Sequence, residues 1–163
     1  MSPAKTSPGV SQLLRLLSEA FDHKSWHGTN LLGSVRRLDA RRAGWRPGRG
    51  RHNAWEIAVH AAYWKYAVRR RLTGEKRGAF ALKGSNWFER PASGGDAEWR
   101  ADVALLVSEH RRLIEAVERL RDDDLDVRPP GSAFDLGGLL RGAAAHDLYH
   151  AGQIQVLKRL GPR

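Results

Sequence analysis

Cysteine is absent from this chain of 163 residues, and its absence excludes several kinds of site together. Disulfide frameworks, thiolate zinc sites, iron–sulfur clusters and cysteine nucleophiles all require the sulfur atom. Any metal ion in this protein must therefore be held by histidine, aspartate or glutamate side chains.

Long apolar runs are also missing from the sequence. The uncharged apolar stretches are far shorter than the roughly 20 residues that span a bilayer. The N-terminus carries no apolar core of a signal peptide. We expect a soluble, cytoplasmic protein that does not bind a membrane.

Residues that favour strands are scarce. Ile, Val and Thr together total 15, whereas Leu and Ala, which favour helices, total 41. The composition predicts an all-α fold. Since an average domain has about 150 residues, the length predicts a single domain.

Proline and glycine mark the ends of the first segments. Pro3, Pro8 and Gly9 predict a flexible N-terminal arm over residues 1–9, followed by one helical domain over residues 10–163. A first helical stretch begins at Val10, pauses at Trp26-His27-Gly28 and resumes as far as Leu38. Glycine, proline and arginine then predict a connection over residues 41–51.

Capping residues delimit three further long helices. Asn53 predicts an N-cap, with Glu56 completing a capping box and Gly74 ending the helix. Asp96 and Asp135 are the expected caps of the third and fourth helices. The segment over residues 74–95 is too long for a tight helical hairpin. These features predict a four-helix bundle with a long connection, a candidate lid, between helices two and three.

Four histidines fall at positions where the apolar spacing predicts the inner face of a helix. A buried imidazole needs hydrogen-bond partners, and one unmet nitrogen costs about 1–3 kcal/mol. His60 on the second helix and His110 on the third, each taken alone, fit an ordinary core histidine. On the fourth helix the expected inner face is Leu139, Ala143, His146, His150, Gln153 and Leu157.

His146 and His150 are one helical turn apart, so their rings stack on one face of the last helix. Together with His60 from a facing helix they provide three neutral nitrogen ligands and leave coordination positions open. This pattern is typical of a catalytic or substrate-binding metal site rather than a closed structural one. Three imidazoles without thiolate are compatible with Zn, Ni, Fe or Mn.

The fragment from His146 to His150 departs from the H-E-x-x-H pattern of metalloproteases. Asp147 stands where that pattern has glutamate, and no His, Asp or Glu follows His150 to complete such a site. The sequence therefore argues against a protease.

Three stretches carry a family resemblance: His146-Asp-Leu-Tyr-His150-Ala-Gly-Gln-Ile-Gln-Val-Leu-Lys-Arg-Leu160, Asn53-Ala-Trp-Glu-Ile-Ala-Val-His60, and Trp26-His27-Gly28. With them the chain resembles the DinB-like (DinB/YfiT) superfamily over nearly its whole length after the arm. The resemblance implies a four-helix bundle and a divalent metal held by one histidine of helix two and two of helix four, here His60, His146 and His150. It also implies chemistry with low-molecular-weight thiols such as bacillithiol or mycothiol, since members include thiol-dependent S-transferases and an isomerase.

The formal net charge is +10, with 22 arginines against 6 lysines scattered along the chain. This excess favours a small anionic substrate, and a basic DNA-associated module is the weaker alternative. A homodimer is compatible with a bundle of this kind. Candidates for steering an anion are Arg42, Arg46, Arg49, Arg69 and Arg70.

Two hypotheses of different class therefore stand first. One is a metal-dependent enzyme that transfers a thiol group or hydrolyses a small substrate, with His110 as a candidate base or as a support for one of the metal ligands. The other is a non-catalytic protein that binds a metal or small ligand through the same three histidines.

Overall fold

The computed structural model describes residues 7–90 and 94–163. Within these ranges the chain forms six α-helices and one short 3₁₀ helix, with no strand, so the predicted all-α fold is confirmed. The helices are α1 (Pro8–Phe21), α2 (Leu31–Val35), α3 (Ala40–Ala43), α4 (Ala54–Thr73), α5 (Asp96–Val117), the 3₁₀ helix Asp122–Asp126, and α6 (Leu136–Leu160).

The helix α1 begins two residues earlier than the sequence predicted. Pro8 occupies the first turn, where its missing N–H is not needed. The carboxylate of Asp122 accepts hydrogen bonds from the backbone N–H groups of Gly9 and Val10, at 3.0 and 2.8 Å. Pro8 and Gly9 therefore belong to the helix and not to the arm, while residues 1–6 of the predicted arm lie outside the described residues.

Two of the three predicted caps are present. Asn53 and Glu56 form a complete capping box at the start of α4, and the Asp135 carboxylate accepts from the N–H of Gly138 over 2.6 Å. The prediction for Asp96 was wrong by one residue, because Gly95 is the N-cap of α5. The Asp96 carboxylate instead accepts from the backbone N–H of Ala40 over 2.7 Å and joins α5 to α3.

The helix α4 lies at the centre of the structure and packs along both α5 and α6, while α1 packs against α6 and α5. One part of the core surrounds Trp55 and Phe88, and the other surrounds Leu17, Leu113 and Leu140. The short helices α2 and α3 contact α6 and α5 respectively, and so close the end of the core that holds Trp55.

The buried face of α6 is displaced by one residue from the predicted face. His150 is buried as expected, but the other predicted positions are only half-buried and border open cavities. The displacement follows from the burial of Asp147, which no pattern in the sequence predicts. The residues of α6 that pack into the core are Leu136, Leu140, Ala144, Asp147, Ala151 and Ile154.

A buried ion pair accounts for Asp147. The Lys65 ammonium of α4 donates to the Asp147 carboxylate, and both side chains are at most 2% exposed. The Lys65 Nζ atom also lies 4.7 Å from the centre of the Phe21 ring of α1. The pair thus ties α4 to α6 next to His146.

None of the helices within the described ranges is both long enough and apolar enough to cross a membrane.

Candidate metal centre

Three imidazoles converge between α4 and α6. The Nε2 atom of His146 lies 3.1 Å from Nε2 of His60 and 3.0 Å from Nε2 of His150. One candidate ligand atom from each ring lies within 4.8 Å of the other two, so the cluster could hold a metal ion. The structure therefore brings together the three residues that the sequence singled out, which we call the three-histidine cluster.

Hydrogen bonds to the far side of two rings fix their tautomers. The Nδ1 atom of His60 donates to the backbone carbonyl of Asn86 over 2.8 Å. The Nδ1 atom of His150 donates to Oε1 of Gln153 over 2.7 Å. A carbonyl oxygen only accepts hydrogen bonds, so in both neutral rings the proton is on Nδ1 and Nε2 carries a lone pair.

Hydrogen bonds among the three rings cannot give each of the three Nε2 atoms a partner. A proton on Nε2 of His146 can serve either His60 or His150, but not both. With the proton there, one Nε2 lone pair, of His60 or of His150, lies about 3 Å from His146 without a hydrogen bond; with the proton on Nδ1 of His146, both contacts bring two lone pairs together in repulsion. A divalent cation bound by all three nitrogens removes this repulsion, and three imidazoles are a donor set that transition metals accept. The residues present therefore fit such an ion.

Burial also keeps the rings neutral. It lowers the pKa of His60 to about 4 and that of His146 to about 3, and it lowers the pKa of His150 as well. Coulombic repulsion between His146 and His150, His60 and Lys65 adds to the effect of burial and lowers the pKa of His146 further. Near neutral pH the lone pairs needed for coordination are therefore available.

The segment between α4 and α5 supplies the support for His60. Asn86 has a left-handed backbone, with φ of 64°, which directs its carbonyl at the ring. Its side-chain oxygen accepts from Nε1 of Trp64 over 2.9 Å. Asn86 is not among the residues predicted for the site, although Asn after Gly84-Ser85 is a local signal for a left-handed turn, since asparagine tolerates that conformation.

An aromatic stack covers the other side of His60. The Trp87 ring lies parallel to His60, with ring centres 3.8 Å apart, and its opposite face stacks on His52 at 3.6 Å. Trp87 belongs to the long connection between α4 and α5 that the sequence predicts as a candidate lid. In the structure, Trp87 lies directly against the three-histidine cluster.

Glu56 is one turn before His60 on α4, but its oxygens are already engaged. They accept from the Arg46 guanidinium, from Nδ1 of His52 at 3.0 Å and from the backbone N–H of Arg90 at 3.2 Å. Burial alone would raise the pKa of Glu56, but these hydrogen bonds outweigh it and lower the pKa. Glu56 is therefore ionised; its carboxylate binds the Arg46 guanidinium and orients the His52 ring.

His110 contributes no atom to the cluster. Its ring stacks on Phe21 of α1, with ring centres 3.8 Å apart, and its Nδ1 atom has no hydrogen-bond partner among the described residues. Burial, together with the positive charge of Lys65, lowers its pKa to about 2. His110 thus packs in the core between α5 and α1 and makes no contact with the three rings.

Two openings lead to the cluster, each beside a different ring. An apolar cleft of about 570 Å³ includes His150, Trp87 and Arg51 in its lining, and we call it the α6 cleft. A smaller groove of about 260 Å³ lies between α4 and α6, and its lining includes His146 and Trp64. We call this second opening the α4–α6 groove.

Two of the arginines proposed to steer an anion are engaged elsewhere. Arg46 pairs with Glu56, and Arg69 pairs with Glu75 and lies 3.5 Å from the Glu109 carboxylate. Trp26, from the Trp26-His27-Gly28 element, is fully exposed.

One protein family matches the sequence of this chain. A family model described as the DinB superfamily matches residues 24–154, which is most of the chain and includes all three histidines. Searches of curated proteins and of solved structures found no match.

Proposed function

The chain belongs to the DinB superfamily, and on that premise we propose that it is a metal-dependent enzyme. Its divalent transition-metal ion, Zn, Ni, Fe or Mn, is held by His60, His146 and His150. The observation that carries the proposal is the convergence of three Nε2 atoms, two of which have their lone pairs directed inward by hydrogen bonds to Asn86 and Gln153. The same membership supports treating the four long helices as one bundle, with the segment between α4 and α5 as its long connection.

The reaction we propose is thiol S-transfer or hydrolysis of a small substrate. When bound, an ion of this kind lowers the pKa of a thiol or a water so that the nucleophile forms near neutral pH. The protein contributes the surroundings: Trp87 shields His60 from water, and the Asn86 carbonyl makes that ring a stronger donor. The apolar walls of the α6 cleft give a small substrate access beside His150.

The second candidate is a protein that binds a metal or ligand without catalysis. It is favoured by the surroundings of the Glu56 carboxylate, one turn before His60, and of His110, the candidate base, because neither group is free to accept a proton from a substrate at the cluster. The Glu56 oxygens are occupied and His110 stacks on Phe21. Turnover measurements with low-molecular-weight thiols and with simple esters or amides separate the two candidates, because only the enzyme consumes substrate.

Elemental analysis of the tag-free chain tests the proposal. We expect one equivalent of a transition metal after purification or after reconstitution with Zn, Ni, Fe or Mn salts. His60→Ala should lose it, whereas His23→Ala, which changes an exposed histidine outside the cluster, should retain it. Equal metal content in the two variants, or none in the wild-type chain, would overturn the proposal.

A further inference from the structure

A third cavity lies farther along α4, away from the α6 cleft. It has a volume of about 540 Å³ and is enclosed by the C-terminal half of α4 and the segment that follows it. No carboxylate lines it within the described residues. We call it the basic pocket, since four cationic side chains and an aromatic wall line it: Arg70, Arg71, Arg77 and Lys83, with Tyr63 and Phe80.

These four cations have no carboxylate partner within 4.0 Å in the described part of the chain, which sets them apart from their neighbour Arg69. Two of them make long hydrogen bonds to backbone carbonyls: Arg70 donates to Glu75 O over 3.5 Å, and Arg71 donates to Ala67 O over 3.4 Å. Like charges gathered around one cavity repel each other, and a bound anion relieves that repulsion.

The wall of the pocket is fixed before any ligand arrives. The Tyr66 hydroxyl accepts from the backbone N–H groups of Gly78 and Ala79, at 3.1 and 3.2 Å, and so holds the segment after α4 against the helix. The Tyr63 and Phe80 rings meet edge to face, with centres 5.4 Å apart. The pocket therefore has a preformed aromatic wall, and the four cationic side chains lie in the lining beside it.

We propose that the basic pocket binds the phosphate group of a small phosphorylated molecule. A guanidinium fork pairs with two phosphate oxygens at once, and a phosphate monoester carries about −1.5 to −2 charge near pH 7. Four cations match a dianion better than they match a single carboxylate. The volume of the pocket is in the range of small-molecule sites, about 300–1,000 Å³. The organic part of the ligand then lies along the aromatic rings of Tyr63 and Phe80.

The basic pocket adjoins the α4–α6 groove, which leads to the three-histidine cluster. Trp64 and Arg71 line both the pocket and the α4–α6 groove, and His146 lines that groove as well. A ligand held by its phosphate therefore has a path along the groove toward the cluster. The role of this ligand as a substrate of the metal site rests on the proposed function. Its binding in the basic pocket does not.

Calorimetric titration of the metal-free chain with phenyl phosphate tests the binding. We expect saturable binding of one ligand per chain. Arg77→Ser with Lys83→Ser should weaken it by about tenfold for each cation removed. The matched control is Lys76→Ser with Arg111→Ser, which removes the same charge from exposed residues outside the pocket and should leave the affinity unchanged.

Three results would overturn the assignment. The first is equal weakening in both double variants, which would indicate diffuse attraction to a basic surface. The second is binding of benzoate as tight as that of phenyl phosphate. The third is pocket-dependent binding of a single-stranded oligonucleotide with no binding of phenyl phosphate.

Phosphorus NMR separates this inference from the proposed function. With Co²⁺ bound to the cluster, the relaxation of phenyl phosphate should be faster than with Zn²⁺, and Arg77→Ser with Lys83→Ser should abolish the difference. An unchanged difference in that variant would place the phosphate on the metal and contradict the pocket. His60→Ala should lose the metal but still bind phenyl phosphate, so failure of either claim is seen independently of the other.

Discussion

The Nδ1 atom of His60 donates a hydrogen bond to the backbone carbonyl of Asn86 over 2.8 Å. The two residues are far apart in sequence, and the bond connects a long helix to the irregular segment that follows it. It fixes which nitrogen of His60 faces the cluster. The ligand geometry therefore depends on the backbone conformation of a residue that is not itself a ligand.

This dependence predicts different effects for two substitutions at Asn86. Asn86→Val should weaken metal binding by about 10–100-fold, because a β-branched residue resists the left-handed backbone that directs the carbonyl at His60. Asn86→Gly should remain close to wild type, since glycine adopts that backbone freely. Competition with a chromophoric zinc chelator measures both affinities. Equal loss in the two variants would show that the side-chain bond to Trp64, and not the carbonyl, supports the site.

A buried ion pair gives a second prediction. Lys65→Met should lower the free energy of unfolding by about 3–5 kcal/mol, because it leaves the Asp147 carboxylate buried without its partner. Lys65→Met combined with Asp147→Leu should recover much of that loss, since no buried charge remains. Urea unfolding of the four chains of this cycle measures the coupling. Additive effects of the two substitutions would contradict the account.

The pH dependence of stability gives a third prediction. Burial lowers the pKa of His110 to about 2, whereas an exposed histidine in the unfolded chain titrates near 6.5. Below pH 6.5 His110 binds a proton in the unfolded state but not in the folded state. Acidification therefore lowers the free energy of unfolding. The slope is about 1.4 kcal/mol per pH unit for this histidine.

His110→Leu should remove that contribution, and the metal-free variant should lose less stability than the metal-free wild type between pH 6.5 and pH 5. Urea midpoints measured at intervals across that range, in the presence of a chelator, give the two slopes. Parallel slopes would mean that His110 accepts a proton without cost in the folded chain.

Local signals predicted much of this structure from sequence. Asn53 with Glu56, and Asp135 with the following N–H groups, are caps whose hydrogen bonds stay within one turn, and both are present. His146 and His150 lie on one face because helical geometry alone places them there. The shortage of strand-forming residues likewise predicted the all-α fold.

Contacts between distant residues explain what the sequence did not reveal. The buried face of α6 was misplaced by one residue because Asp147 is buried only through Lys65 on another helix. Asn86 was missed because its role depends on where the segment after α4 lies relative to His60. The first residues of α1 were assigned to an arm because Asp122, which accepts from their N–H groups, is more than a hundred residues away.

X-ray absorption at the metal edge of the reconstituted, tag-free chain tests the central claim most directly. We predict scattering from three imidazole rings with metal–nitrogen distances of about 2.0–2.1 Å, reduced to two rings or lost altogether in His60→Ala. A spectrum fitted by oxygen ligands alone, or one that His60→Ala leaves unchanged, would contradict the assignment of the three-histidine cluster as the metal site.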